Sequence, residues 1–356
     1  MKKLSILLLS LTFVAASCDL SDPFSLGGGS KGVLKSEDSA QTFHAKNKIK
    51  QSRRDLSSLS VNALVFDPKN PDVLYLGSAS GLHKSEDSGE SWTYILTGIA
   101  VGDVRVDPNA SNIVYSAGIS GNNGKIIKSY DSGTTWIDIY SEPSKGNAVL
   151  ALDVLKFNSK ILIAGLNNGE IVRSSDEGRT WQLVKDFQDR VVEIRSAGNA
   201  SVYALTRSAG LYKSTDLGAT WTEITGSLTS SSLFSRNSTS VSVSAFYDLA
   251  LDQRQPGVIY LGTEQGLLRS IDDGVSWSFL SLPARDNSQL RVSAVAVNPA
   301  NSNNIYASIS STLFKSLNGG VTWETKKLPT SAVLRQVLIN PNTPNIVYLG
   351  MGEQKQ

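Results

Sequence analysis

Short apolar runs, interrupted by turns, recur along nearly the whole chain. In VNALVFDPKNPDVLYLG (61–77) two such runs flank a DPxNP-type turn, and VSAVAVNPANSNNIYAS (292–308) and RQVLINPNTPNIVYLG (335–350) repeat the arrangement. Looser copies start near Asp103, Leu152, Val192 and Tyr247. The runs have strand length and tend to alternate, the pattern of strands that bury one face. A second unit follows most of these hairpins. GLHKSEDSGESW (81–92) is an apolar strand, a polar turn with a glycine, and a strand opened by tryptophan. Together the two units supply four strands: A and B around the Pro-Asn turn, C through the GLxKS run, and D from the tryptophan onward.

The second unit is a box with seven copies: KSEDSAQTF (35–43), KSEDSGESW (84–92), KSYDSGTTW (128–136), RSSDEGRTW (173–181), KSTDLGATW (213–221), RSIDDGVSW (269–277) and KSLNGGVTW (315–323). All six tryptophans, Trp92, Trp136, Trp181, Trp221, Trp277 and Trp323, close a box. Periods of this length, built from short strands, indicate propeller blades. The expected fold is therefore all-β, a seven-bladed β-propeller of four-stranded antiparallel blades over residues 32–352. Because a C–D unit (32–50) comes first and an A–B unit (335–350) last, one blade is expected to draw on both termini and so close the ring.

Within a box, the acidic or amide residue (Asp38, Asp87, Asp131, Asp176, Asp216, Asp272, Asn318) is placed to accept backbone N–H groups of its own turn. The glycine supplies a positive φ, and the tryptophan is sized to pack between blades. A lysine or arginine opens every copy, and its expected place is over the tryptophan ring. The pattern resembles the Asp-box, or BNR, repeat of sialidases, xyloglucanases, sortilin-type receptors and photosystem assembly propellers. Box one departs from it with Ala40 and Phe43, and box seven with Asn318. Seven near-identical turns imply seven identical structural tasks, so the boxes are expected to build the fold and not to perform chemistry.

Residues 1–17 have the form of a secretory leader: Lys2 and Lys3, an apolar stretch too short to span a bilayer, then small residues. The single cysteine, Cys18, follows directly, and the pattern resembles a bacterial lipoprotein leader with lipid on that thiol. Residues 18–31 contain GGGS and read as a flexible tether, and 353–356 as a short tail. The expected location is the bacterial cell envelope, lipid-anchored to a membrane and facing the extracytoplasmic side, as a monomer. The formal charge is +2 with both leader lysines counted, which argues against a nucleic-acid partner. One cysteine and two histidines, His44 and His83, give no expected metal site, cofactor or Ser-His-Asp relay.

Candidate ligand-binding residues lie at the starts of the A strands, on the face shared by the D–A and B–C connections. They are Asp103, Asp153, Glu193 and Asp248, with Arg105 and Arg195 two residues after an acid, and Tyr247 beside Asp248. The stretch 227–244, with eleven Ser or Thr, reads as a long D–A loop, and AKNKIKQSRR (45–54) as a basic segment that guards an edge or meets anionic headgroups. No catalytic residue is assigned. The expected function is a non-catalytic, membrane-tethered scaffold that binds an envelope protein or glycan through that loop face. The alternative is a glycoside hydrolase using two of the four carboxylates, although the Arg-Ile-Pro signature of sialidases is absent and xyloglucanases use two facing propellers.

Overall fold

The computed structural model of the protein describes residues 30–197, 200–229, 233–234, 240–284 and 290–353. The leader, Cys18 and most of the tether lie outside the described residues, as do the centre of 227–244 and the tail after Glu353. Seven antiparallel four-stranded sheets form the fold. Blades two to seven run A to D in sequence. Their inner strands are Ala63–Phe66, Ala100–Asp107, Val149–Val154, Val191–Ser196, Phe246–Leu251 and Val292–Asn298. Blade one takes strands A and B from Val333–Ile339 and Val347–Gly352, and C and D from Gly32–Ser36 and His44–Ala45. Leu34 pairs with Leu349 across the join, so strand pairing closes the wheel. Each inner strand packs against the inner strands on either side around the full circle. Helical structure among the described residues amounts to single turns at Leu56–Ser58 and Gly226–Thr229.

The boxes fold as one hydrogen-bonded unit. In box three, Asp131 Oδ1 accepts from Ser129 Oγ (2.8 Å) and Thr135 N (2.8 Å), while Ser129 Oγ accepts from Gly133 N (2.8 Å). The same bonds recur in the other six, with Ala40 N taking the glycine's part in box one. Gly133 has φ +96°, and the residue before it, Ser132, is also left-handed at +58°. That second left-handed residue turns its N–H to the A–B turn of the same blade, where Asn112 O accepts it at 2.9 Å. Among the described residues, boxes one to four, six and seven each tie to the A–B end of their own blade in this way.

The tryptophans lie between blades as expected. Trp92 is fully buried with Tyr348 and Val33 of blade one, and its indole donates to Lys46 O at 2.8 Å. Trp181 and Trp277 donate to Ile139 O (2.9 Å) and Ile224 O (3.2 Å) of the blades before them. The box cations, however, do not lie over these rings. Lys84 faces Thr93 on strand D and Tyr75 on strand B, because the tryptophan belongs to the turn and swings toward the preceding blade. Except at Arg173, which faces Ile163, the cation's strand-B neighbour is a tyrosine: Lys35 over Tyr348 (5.8 Å), Lys84 over Tyr75 (5.9 Å), Lys128 over Tyr115 (5.2 Å) and Lys213 over Tyr203 (6.0 Å). Arg269 and Lys315 face Tyr260 and Tyr306 in the same register.

The basic segment 45–54 is a clasp across the seam between blades one and two. Trp92 N donates to Lys48 O (2.9 Å) and Lys50 N to Trp92 O (2.8 Å). Lys46 pairs with Glu90 at 2.5 Å and Lys50 with Asp87 at 3.7 Å. Two of the lysines read as edge guards or headgroup contacts therefore serve box two.

Candidate functional site at the channel mouth

An inner strand of a propeller is bonded on one side only, to strand B, so its other edge carries N–H and C=O groups that need partners. Side chains from the neighbouring blade provide them at every junction. Asp103 Oδ2 accepts Leu152 N (2.9 Å), Glu193 Oε2 accepts Leu249 N (2.9 Å) and Asp248 Oδ2 accepts Val295 N (2.6 Å). Asp153 is hydrogen-bonded to Ser196. Ser293 Oγ donates to Leu334 O (2.7 Å), Gln336 Nε2 to Asn62 O (2.9 Å) and Asn62 Nδ2 to Val101 O (2.8 Å). Seven junctions thus carry seven bridges.

The four candidate carboxylates do cluster on this ring, with one correction of register. A β-bulge breaks the A–B pairing just before Asp103, Glu193 and Asp248. The corresponding residue of blade four is Ala151, because its bulge lies between Val149 and Ala151. Asp153 therefore sits one layer deeper, level with Arg105 and Arg195. Arg105 joins the two layers, 3.0 Å from Asp103 and 3.8 Å from Asp153, with its Nε donating to Leu152 O at 2.8 Å. Arg195 pairs with Glu193. Burial pushes the Asp103 and Asp153 carboxyls above their ordinary range, while Arg105 between them pulls the other way.

Bulges re-aim side chains, and here the bulge residues open onto the mouth. Gly102, Leu150, Val192, Tyr247 and Arg335 line a cavity of about 160 Å³ together with Arg190 and Arg207. Tyr247 carries the Arg207 and Arg291 guanidiniums 4.0 and 3.8 Å from its ring centroid. Tyr247 thus gathers a guanidinium of blade five and one of blade seven against its ring. Arg335 donates to Asn62 Oδ1 at 3.0 Å. Burial, with Arg190 close by, pushes its pKa down to about 10. Burial and Arg207 lower Arg190 and Arg291 as well. Asp103, Glu193 and Asp248 line the same cavity, each with one carboxylate oxygen accepting a strand-edge N–H of the next blade, so the mouth carries both arginines and acids. A sequence signal existed for two of these cations: Arg190 and Arg291 each stand one residue before an A strand.

The other end of the channel is wider, about 640 Å³, and is rimmed by Pro68, Pro108, Pro256, Pro299 and Pro341 of the A–B turns. No group of three or more His, Cys, Asp or Glu suited to a metal ion occurs among the described residues. His83 is buried against the edge of Tyr94, at 4.5 Å, away from this mouth.

Residues 109–356 match the DUF6242 β-propeller domain. The chain belongs to that family. A curated xyloglucanase from Paenibacillus sp. is 26% identical over 193 residues, covering 48% of this chain and 17% of the enzyme. Among solved structures, the GH74 xyloglucanase from Xanthomonas campestris superposes with a TM-score of 0.67 at 18% identity, over 83% of this chain and 51% of that one. YCF48 from Cyanidioschyzon merolae superposes with a TM-score of 0.62 at 13% identity, over 82% and 96%. A YCF48 structure bound to D1 peptide gives 0.61 at 14% identity, over 83% and 94%. At these identities the structural likeness speaks for the propeller alone, and this family member spans about half the length of the Xanthomonas enzyme.

Proposed function

We propose that this DUF6242 propeller is a non-catalytic binding protein that presents its D–A/B–C face to an envelope protein or glycan. Lipid on Cys18 holds it at the membrane, and its seven boxes are Asp-box repeats serving the fold. The observation that carries the reading is the employment of the inner carboxylates. Asp103, Glu193 and Asp248 each accept a main-chain N–H of the next blade, and Asp153 is bonded to Ser196. A glycosidase needs one carboxyl free to give a proton and another free to attack or to activate water. Asp103, Glu193 and Asp248 are spent on joining blades, while Asp153 sits one layer deeper against Arg105. Affinity capture from solubilised membranes and glycans tests the proposal, with one partner expected to bind the intact protein through this face.

A second reading, a glycoside hydrolase, draws on the raised carboxyls of buried Asp103 and Asp153 and on the sequence likeness to a xyloglucanase. A carboxyl held partly protonated is what a general acid requires. Release of reducing ends from xyloglucan or an aryl-glycoside panel, abolished by Asp103→Asn or Asp153→Asn in protein that still melts cooperatively, would replace the binding proposal with this one.

A further inference from the structure

We infer that the channel-mouth cavity lined by Arg207, Tyr247 and Arg335 is an oxyanion-binding site, taking a carboxylate or phosphate group on a small ligand or at the end of a larger one. The inference rests on the binding proposal and gives that face its chemistry.

Geometry carries it. The cavity holds a small head group and is lined by Arg190, Arg195 and Arg207 of blade five and Arg335 of blade one, with Arg291 of blade seven against the Tyr247 ring. Asp103, Glu193 and Asp248 line it too, each with one oxygen already accepting a main-chain N–H. Among the described residues, no carboxylate lies within ion-pair distance of Arg207 or Arg335, although Arg105 and Arg195 nearby both have acids. Arg335 Nε is buried without a hydrogen-bond partner among the described residues, a state that costs free energy unless something arrives to accept the bond. Tyr247 holds two guanidiniums against its ring, and Arg207 Nη1 donates to Phe246 O at 3.1 Å. A fixed planar fork suits carboxylate or phosphate oxygens and loses little side-chain freedom on binding. Burial first, and neighbouring arginines second, lower the affinity of Arg190, Arg291 and Arg335 for their protons, and a bound anion would offset both.

Calorimetric titration of the purified protein with inorganic phosphate, sodium glucuronate and neutral glucose tests the site. At least one of the two anions is expected to bind, more weakly as salt rises, with glucose silent. The preferred anion identifies the source. Arg207→Gln and Arg335→Gln should each weaken binding about tenfold or more, with Arg207→Lys between wild type and Gln because charge remains and the fork is lost. Melting curves report whether each variant is folded, and Arg335→Gln serves where Arg207→Gln unfolds. Absence of anion binding at millimolar concentration, or binding indifferent to both Gln variants, would overturn the site. Glucose bound as tightly as glucuronate would also overturn it, and would leave the broader binding proposal standing. Anion binding lost in the variants, in a protein that hydrolyses xyloglucan, would uphold the site while removing the non-catalytic reading.

Discussion

The box rim and the channel mouth solve one problem, holding seven sheets in a circle, in opposite ways. At the rim a single solution repeats: Ser, Asp and Gly make the same bonds with nearly the same lengths in each box, and even Asn318 keeps them, with Oδ1 accepting Thr322 N at 2.9 Å. At the mouth each junction has a bridge, yet the bridging side chains are Asp, Asp, Glu, Asp, Ser, Gln and Asn. Uniformity at the rim leaves no blade distinguished from the next. The mouth tolerates substitution because any side chain that reaches the neighbouring strand edge will serve. That tolerance lets three bulge positions hold Gly102, Leu150 and Val192 while others hold Tyr247 and Arg335. Recognition of one ligand needs such asymmetry, and only the mouth has it.

If the rim is a set of structural staples, its worst injury should be at the one tryptophan with no exposed surface. Trp92→Ala removes a ring packed among Val33, Leu56 and Tyr348 and an indole bond to Lys46 O across the seam between blades one and two. A loss of about 3–5 kcal/mol is expected, read as a lowered midpoint in urea. A variant as stable as wild type would break the comparison on the rim side.

Acid should separate a single rim residue from the repeated set. Burial without a partner for Nδ1 pushes His83 down to about 4. The unfolded chain therefore takes up the proton first, so stability is intact above about pH 6.5 and falls as pH drops toward 4, by up to about 3 kcal/mol. His83→Leu should flatten the stability curve in that window. The boxes act lower: bonds from Thr135 and Thr180 hold Asp131 and Asp176 at about 2, so their contribution, present above the ordinary carboxylate range, is lost as pH falls through that value. Unfolding followed from pH 7 to 4 in both proteins checks the first window.

The rim was legible in the sequence for the same reason that it does no chemistry. Seven phased copies of a Ser-x-Asp turn revealed blade number, strand order and the shared closing blade, since repetition averages away local noise. What stayed hidden needed three-dimensional neighbours. Asp103, Glu193 and Asp248 directly follow their bulges, whereas Asp153 stands two residues beyond Ala151, the residue that follows the bulge in its blade, and nothing in LALDV marks where that bulge falls. The Lys-over-Trp expectation failed because box numbering makes Lys84 and Trp92 look symmetric, whereas Tyr75 on the preceding strand lies in register with the lysine. The arginines of the mouth come from strand ends far apart in the chain, and only closure of the ring brings them together.

The mouth bridges invite a matched pair of conservative changes. Glu193→Gln keeps the shape but weakens acceptance from Leu249 N and the pairing with Arg195, at an expected cost of about 1–3 kcal/mol. Asp216→Asn at the rim should cost about 1 kcal/mol or less, because box seven already works with an amide whose Nδ2 donates to Thr322 Oγ1 at 2.8 Å. Equal costs in chemical denaturation would erase the distinction between a charge used for joining and a turn that needs only an acceptor.

The smallest effect probes the one irregular rim glycine position. Ala40 occupies it with φ +69°, where a Cβ is penalised by about 1 kcal/mol or more. In box three the same Cβ would meet Ile95 Cδ1 at 2.6 Å, and in box four Ile139 Cδ1 at 2.6 Å. Ala40 is tolerated because it packs into the core around Phe43 and Leu328 of the terminal junction. Ala40→Gly relieves the backbone but gives up that contact and gains entropy in the unfolded chain, so a net stabilisation of only a few tenths of a kcal/mol is expected. A clear destabilisation would mean that box one has traded turn geometry for packing at the seam where the ring closes, and that the rim is less uniform than its hydrogen bonds imply.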